Sequence, residues 1–322
     1  MRLKLFAVVG TLLITPFCAS FALSVTTVNQ LVVFGDSLSD NGNAAIALGG
    51  TLPGNYAPNA FTNGPNTNPA TSGPFGLWID QFAVKMGLPG PQPFLANPVA
   101  NTNYAVGGAD TGSTNPQDIS NQLAAFASAH PLGAPSNALY AIWGGANDVL
   151  DGRNPKTAAD NLYANILALS GAGAKYFLWL DLPPLGEVPQ ALAADKIVPG
   201  TSAAFNAASA AFNLEWATDL AQLRSQGVYV IGVDINTLFN QIIANPAPFG
   251  LTDVTDPAQG LPVNPNTFLF WDGKHPTTAG DALIANLAFN DFVAVPEPVS
   301  VGLAVAGLGL VIVVSRRKRL PH

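Results

Sequence analysis

The sequence predicts an α/β fold: a parallel β-sheet covered by helices on both faces. Three observations carry that prediction. Four short apolar runs, Gln30–Phe34, Ala138–Trp143, Tyr176–Leu180 and Val228–Val233, have the length and continuous apolar character of strands buried on both sides. Segments of helical periodicity separate them, and strands alternating with helices specify parallel neighbours joined by crossovers. The residues able to do chemistry follow directly after the runs, and sites in open parallel sheets form outside the carboxyl ends of the strands.

Taken in order, Gln30–Phe34 breaks at Gly35 and delivers Ser37 to the mouth of a turn. Gly49 to Pro74 is rich in Gly, Pro, Asn and Thr. It reads as one long surface loop beside the strand-end edge, either shaping access to a site or simply tolerated there. Phe75 to Met86 places Leu77, Phe82 and Met86 on a helical face, and Asn103–Val106 is a fifth, shorter strand. Pro116 to Ser128 repeats Ile119, Leu123 and Phe126 at i, i+4 and i+7. Thr157 to Ser170 carries Leu162, Ile166 and Leu169 and stops at Gly171 and Gly173, residues that end helices readily. Thr201 to Leu223 buries Phe205, Phe212, Trp216 and Leu223, and Thr277 to Phe292 turns Leu283, Ile284 and Leu287 inward. There is no internal repeat and no boundary within this stretch.

The two ends differ from the middle. Met1 to Ala22 has a basic start (Arg2, Lys4), an apolar run from Leu5 to Leu13 and the small-x-small site Ser20-Phe21-Ala22, the order of a secretory signal. Residues 23–294 form the expected domain. Residues 295–322 hold Val295-Pro296-Glu297-Pro298, an apolar stretch from Val299 to Val314 and the cluster Arg316-Arg317-Lys318-Arg319. Sixteen residues make a helix of roughly 24 Å, short of the ~20 residues of a stable span, and the basic cluster favours the cytoplasmic side.

Composition excludes several functions. Of 322 residues, 48% are apolar and only 10% charged, so a substantial core is available. Cys18 is the only cysteine and precedes the expected cleavage site; the mature domain has no disulfide and no thiolate for zinc or nucleophilic work. With only His130, His275 and His322, a histidine-rich metal site is not expected, and no metal or cofactor is assigned. Between Leu23 and Val295 seven basic residues face nineteen acidic ones, a net of −12. Such a domain repels nucleic acid and anionic polysaccharide.

The chemistry lies in two distant segments. Phe34-Gly35-Asp36-Ser37-Leu38-Ser39-Asp40 follows the first strand, and Trp271-Asp272-Gly273-Lys274-His275-Pro276 supplies a histidine with an aspartate three residues before it. A serine is a useful nucleophile only when a base takes its proton and a third group orients that base. Asp272 one helical turn before His275 lets the two side chains meet on one face. His130, before Pro131 at a helix end, reads as a surface residue. There is no Gly-x-Ser-x-Gly elbow, no His-Glu-x-x-His and no phosphate-binding Gly-Lys-Ser/Thr loop.

Four blocks in order carry a resemblance. They are Phe34 to Asn43, Asn103-Tyr104-Ala105-Val106-Gly107-Gly108, Gly144-Gly145-Ala146-Asn147-Asp148 and Asp272-Gly273-Lys274-His275-Pro276, with Phe61-Thr62-Asn63-Gly64 and Trp78-Ile79-Asp80 between the first two. From Gln30 to Phe292 the chain resembles the GDSL lipase/esterase family, the SGNH hydrolases. The resemblance implies a three-layer α/β/α sandwich of flavodoxin-like kind with about five parallel strands. It implies a carboxylic ester hydrolase with catalytic Ser37, Asp272 and His275, and an oxyanion hole from the Ser37 N–H, the Gly107 N–H and the Asn147 side-chain amide, with no cofactor.

Asp36, Asp40 and Asp148 are expected to hydrogen-bond backbone and stiffen the loop tips, and the stretch after Asp181 to wall the site. Trp143 and Trp179 either line an acyl groove or belong to the core. The C-terminal order resembles the PEP-CTERM sorting signal of Gram-negative bacteria. It implies an exosortase-type partner, transient inner-membrane contact through the tail, and delivery to the cell surface or extracellular matrix. The substrate is an ester of lipid or acylated sugar. Two other readings keep the sequence: an acyltransferase using the same acyl-enzyme, and a non-catalytic surface or matrix protein.

Overall fold

In the computed structural model, β1 (Gln30–Gly35) is followed by α1 (Asn43–Ala47), α2 (Trp78–Met86) and α3 (Ile119–Ala129). Strand β2 (Ala138–Trp143) leads into α4 (Ala146–Leu150) and α5 (Pro155–Gly171), and β3 (Tyr176–Leu180) into α6 (Pro189–Asp195) and α7 (Thr201–Ser225). Strand β4 (Tyr229–Val233) leads into α8 (Ile235–Ala244), and a separate pair, β5 (Asp253–Pro257) and β6 (Phe268–Phe270), precedes α9 (Thr278–Ala294). The structure describes residues 28–56, 59–65 and 73–294. The expected signal over residues 1–22 and the sorting segment over residues 295–322 lie outside the described residues.

The main sheet is parallel, in the order β1-β2-β3-β4. Its strands are apolar throughout because both faces are covered: all six residues of β2 are buried. Helices α2, α8 and α9 pack together on one side, and α3, α4, α5 and α7 on the other. This is the three-layer α/β/α arrangement that the alternating pattern predicts.

The fifth strand is the exception. Asn103–Val106 runs beside β1, with Tyr104 N–H on Val33 O (2.8 Å) and Val106 N–H on Gly35 O (3.2 Å), but it forms only isolated bridges. Its outward carbonyls are already taken. Asn43 Nδ2 donates to both Asn103 O and Ala105 O at 2.8 Å, and Phe94 N–H donates to Asn103 O. Side chains thus complete an edge that a longer strand would otherwise continue.

Caps explain where helices depart from the expected limits. The Asp118 side chain accepts from Asn115 N–H (2.7 Å) and Asp110 N–H (3.1 Å), holding residues 115–118 in a turn, so α3 starts at Ile119 rather than Pro116. Asn154 accepts from Thr157 N–H at 3.1 Å with Pro155 at the first helical position, so α5 starts earlier than its apolar stripe. Helices α1, α4 and α6 are too short to show a period, and the three residues of β6 too few to show an alternation.

The end of β1 is fixed from the helix layer. Gln122 of α3 is buried, its Oε1 accepting from Gly35 N–H (3.0 Å) while its Nε2 donates to Gly35 O (2.7 Å). The amide therefore clamps both backbone groups of the last strand residue before Ser37. Replacing it by an apolar side chain leaves a buried donor unpaired. The Gln122→Leu variant should lose about 1–3 kcal/mol of unfolding free energy, read from urea melts.

Candidate active site

Ser37 sits two residues past β1, nearly buried, and its Oγ lies 2.8 Å from His275 Nε2. The other ring nitrogen, Nδ1, lies 2.7 Å from Asp272 Oδ2. The structure thus brings together side chains from opposite ends of the domain. The expected helical turn between Asp272 and His275 is absent: residues 271–275 are a loop between β6 and α9. The carboxylate itself shapes that loop. Asp272 Oδ1 accepts from Lys274 N–H (2.8 Å) and His275 N–H (2.7 Å), an Asx-type turn. Pro276 follows and disfavours helical backbone at His275. Burial works to raise the Asp272 pKa, but the hydrogen bond and charge of His275, with the Tyr56 hydroxyl, outweigh it and hold the carboxyl well below the usual range.

Asp40 organises the turn that presents Ser37. Fully buried, it accepts from Gly42 N–H (2.9 Å) and Asn43 N–H (2.6 Å) through Oδ1, and from Ala44 N–H (2.9 Å) and Gly107 N–H (2.8 Å) through Oδ2. This corrects the expected donor set for an oxyanion. The Gly107 N–H is committed to Asp40, so it is not free for substrate. Gly107 must still be glycine, because an added Cβ would sit 2.6 Å from the ring of Phe61. Its neighbour Gly108 adopts φ +78° with open space beside it, and its N–H, like that of Ser37, has no partner among the described residues. Asn147 Nδ2 donates to Ala109 O at 2.9 Å, which leaves one amide hydrogen for a ligand.

The remaining acids tie loops together. Asp36 Oδ1 accepts from Leu38 N–H (3.0 Å), and Asp148 accepts from both Thr111 N–H (2.9 Å) and Thr111 Oγ1 (3.0 Å). Burial pushes Asp36 up to about 7, against the pull of Leu38 N–H and Lys274. Asp181 Oδ1 accepts from Ile235 N–H (2.6 Å) and Asn236 N–H (3.1 Å), joining the end of β3 to the start of α8.

A cleft of about 450 Å³, part of it open solvent, lies against Ser37, Asn147 and His275. Leu150, Pro183, Leu185, Val188, Phe239 and Phe270 make most of its wall apolar. Trp143 reaches this wall, its Nε1 donating to Asp181 O (2.9 Å). Trp179 does not; it is buried against Trp216 with ring centroids 6.1 Å apart. His130 caps α3, with Nδ1 3.0 Å from Phe126 O. Among the described residues one acidic set is close enough to hold a cation, Asp160, Glu215 and Asp219, on α5 and α7 and outside the cleft lining. The Lys156 ammonium already bonds Asp160 and Glu215 there.

Two residues of the site escaped the sequence reading. Phe61 stacks on the His275 ring (5.0 Å, 29°), and Tyr56 approaches it edge-on (6.1 Å, 83°) while its hydroxyl donates to Asp272 Oδ2 at 2.5 Å. Both belong to described parts of the long polar stretch, which at these residues meets the site. Phe61 stood inside a segment matched to the family, whereas nothing in pattern or composition marked Tyr56.

A serine, an imidazole and a carboxylate in hydrogen-bonded sequence at the strand ends of an α/β/α sandwich define the arrangement of a serine hydrolase. Sequence comparison narrows the class: the family described as GDSL-like Lipase/Acylhydrolase matches residues 31–288, and this chain belongs to it. It is 31% identical to esterase EstA of Pseudomonas aeruginosa over 90% of this chain and 50% of that protein. It is 26% identical to a GDSL esterase/lipase of Arabidopsis thaliana over 86% of this chain and 89% of that one. The chain spans about half the length of the Pseudomonas relatives it matches. Among solved structures, the aryl esterase of M. smegmatis aligns with 16% identity and a TM-score of 0.45, over 83% of this chain and all of that one.

Asp40 offers a direct test of how the turn is held. In Asp40→Asn one acceptor oxygen becomes an NH₂ facing two backbone N–H groups. Urea melts should show a loss of about 3 kcal/mol or more, since buried donors lose charged acceptors.

Proposed function

We propose that this chain is an exported serine ester hydrolase that cleaves carboxylic esters through an acyl-enzyme. The observation that carries the reading is the continuous relay, Ser37 Oγ to His275 Nε2 (2.8 Å) and His275 Nδ1 to Asp272 Oδ2 (2.7 Å), opening on an apolar cleft. Ser37 Oγ attacks the ester carbonyl carbon as His275 Nε2 takes its proton. The tetrahedral intermediate collapses, the carbon–oxygen bond to the alcohol breaks, and His275 returns the proton to the departing alkoxide. Water then repeats the sequence on the acyl-enzyme, releasing the acid and restoring Ser37. Asp272 stays ionised throughout, fixing the imidazole tautomer and balancing the imidazolium.

The developing oxyanion is received by the Ser37 N–H, the free amide hydrogen of Asn147 and the Gly108 N–H, which replaces the occupied Gly107 donor. The apolar wall suits the acyl chain, and lipid, acylglycerol or acylated sugar is the substrate class. Relatives named as esterases and an acetylesterase support ester chemistry. The terminal sequence patterns support export and an exosortase-type partner, with the tail making transient membrane contact.

Chromogenic acyl esters of graded chain length test the reading. The domain should turn over at least one of them, with Ser37→Ala lowering kcat about 10³-fold or more; turnover indifferent to Ser37 at every length would refute it. Asn147→Ala should lower kcat by about 10²–10³ with little change in KM, because the lost hydrogen bond is formed chiefly in the transition state. An effect confined to KM would remove Asn147 from the oxyanion site.

A further inference from the structure

The catalytic relay proposed above has a neighbour of its own. Asp272 Oδ2 accepts two hydrogen bonds at once, from His275 Nδ1 at 2.7 Å and from the Tyr56 hydroxyl at 2.5 Å. The other carboxylate oxygen is filled by the Lys274 and His275 N–H groups. All four contacts to this carboxylate come from its own loop except one, and that one is Tyr56, more than two hundred residues away in sequence.

Tyr56 is not placed there by its hydroxyl alone. The carbonyl of Asn55, immediately before it, accepts from Trp271 Nε1 (3.0 Å) and Gln259 Nε2 (3.1 Å). Trp271 directly precedes Asp272, so backbone and side chain of the 55–56 pair grip two adjacent residues of the histidine loop. Further along, the Tyr56 ring meets Phe61 edge-on (5.2 Å), and Phe61 lies flat on the imidazole. Asn63 Oδ1 then accepts from Thr278 N–H at 2.8 Å, holding the start of α9 just beyond His275. Asn55 and Tyr56 on one side, and Asn63 on the other, are therefore fastened to residues that flank or form the Asp272–His275 loop.

We propose that Tyr56 is a positioning residue of the relay: its hydroxyl fixes the orientation of the Asp272 carboxylate, and Phe61, stacked on the imidazole, holds the His275 ring against Ser37. Burial, together with the hydrogen bond and charge of Asp272, pushes the Tyr56 hydroxyl up, so it remains a donor across the working range. A donor on Oδ2 also withdraws charge from the oxygen that faces the imidazole. Removing it concentrates negative charge there and favours the protonated ring.

The variant that isolates this contact is Tyr56→Phe, which keeps the ring and deletes the hydroxyl. We expect kcat on a chromogenic ester to fall about tenfold, the scale of one hydrogen bond to a charged group, with KM little changed. The acid limb of kcat/KM should move to higher pH. His275 and Tyr56 are the titratable groups facing Asp272; Asp36, beside Ser37, and Lys274, in the histidine loop, line the cleft and are common to both proteins, so the difference between profiles belongs to Tyr56. Trp271→Phe, which releases the Asn55 carbonyl but keeps Tyr56 and Asp272, should move both quantities in the same direction by less.

A second readout does not depend on turnover. The far-downfield proton NMR resonance of the His275 Nδ1–H should shift or broaden in Tyr56→Phe. A variant with unchanged kcat, pH profile and resonance would overturn the proposal. So would a loss in kcat matched by an unchanged pH profile and resonance, which marks a purely structural role. If no ester is turned over by the wild-type chain, the hydrolase reading fails on that result, and the resonance alone still decides for or against Tyr56.

Discussion

The geometry of this site depends on one buried carboxylate. Four backbone N–H groups converge on Asp40, three from the start of α1 and one from Gly107. Its four acceptor positions are thereby filled, and the turn after β1 is locked to the glycine segment beside it. Ser37 lies within that turn, its other end clamped by Gln122 on Gly35. A hydroxyl held this way keeps its distance to a base without any contact of its own to the scaffold, which leaves Oγ free for His275. Burial raises the energy of the charged Asp40 and pushes its pKa up, and the N–H groups of Gly42, Gly107, Ala44 and Asn43 offset part of that cost.

The base reaches the serine by a different route. Asp272 and His275 belong to a loop outside the main sheet, between β6 and α9, closed by a backbone bond from Trp271 N–H to His275 O (2.8 Å) and an antiparallel bridge between Phe270 and Pro276. Further order comes from hydrogen bonds to Asp272, from Gln190 N–H of α6 on Gly273 O (2.8 Å), and from contacts with Asn55, Tyr56 and Phe61. Ser37 is thus set by the sheet and helices, and His275 by its own loop, a backbone bond to α6 and contacts with Tyr56 and Phe61. The two sides meet at the Ser37–His275 hydrogen bond, with Phe61 packed beside Gly107 next to it. Because proton transfer is sensitive to small errors of placement, the fastening that Tyr56, Phe61 and Asn63 supply bears directly on the distance from His275 to Ser37.

This division also explains what could be read from the sequence. The β1, β2, β3 and β4 runs were legible because burial on both faces demands unbroken apolar residues. Ser37, Asp272 and His275 were legible because their chemistry restricts the residue types and the turns around them. Gly107 was expected to donate to an oxyanion, whereas its N–H serves Asp40 and the space beside it is filled by Phe61. Only coordinates separate it from Gly108, since both are glycines in one turn. The Asn103–Val106 segment had the apolar content of a strand, but side-chain amides of Asn43 capture its carbonyls, a tertiary effect with no local signature.

Tyr56 shows the limit most clearly. It stands in a stretch of Gly, Pro and Asn whose composition says only that the backbone is irregular. Irregular backbone does not imply an idle surface. Beside internal bonds such as Thr62 N–H on Ala60 O (2.9 Å), the described residues of this loop spend polar groups on other segments, as Asn55 O does with Trp271 and Gln259 and Asn63 does with Thr278. Such a loop acquires its shape from what it covers. Its sequence therefore carries the chemistry of contact without the periodicity of structure, and a residue in it becomes functionally readable only when the Asp272 loop it crosses is in view.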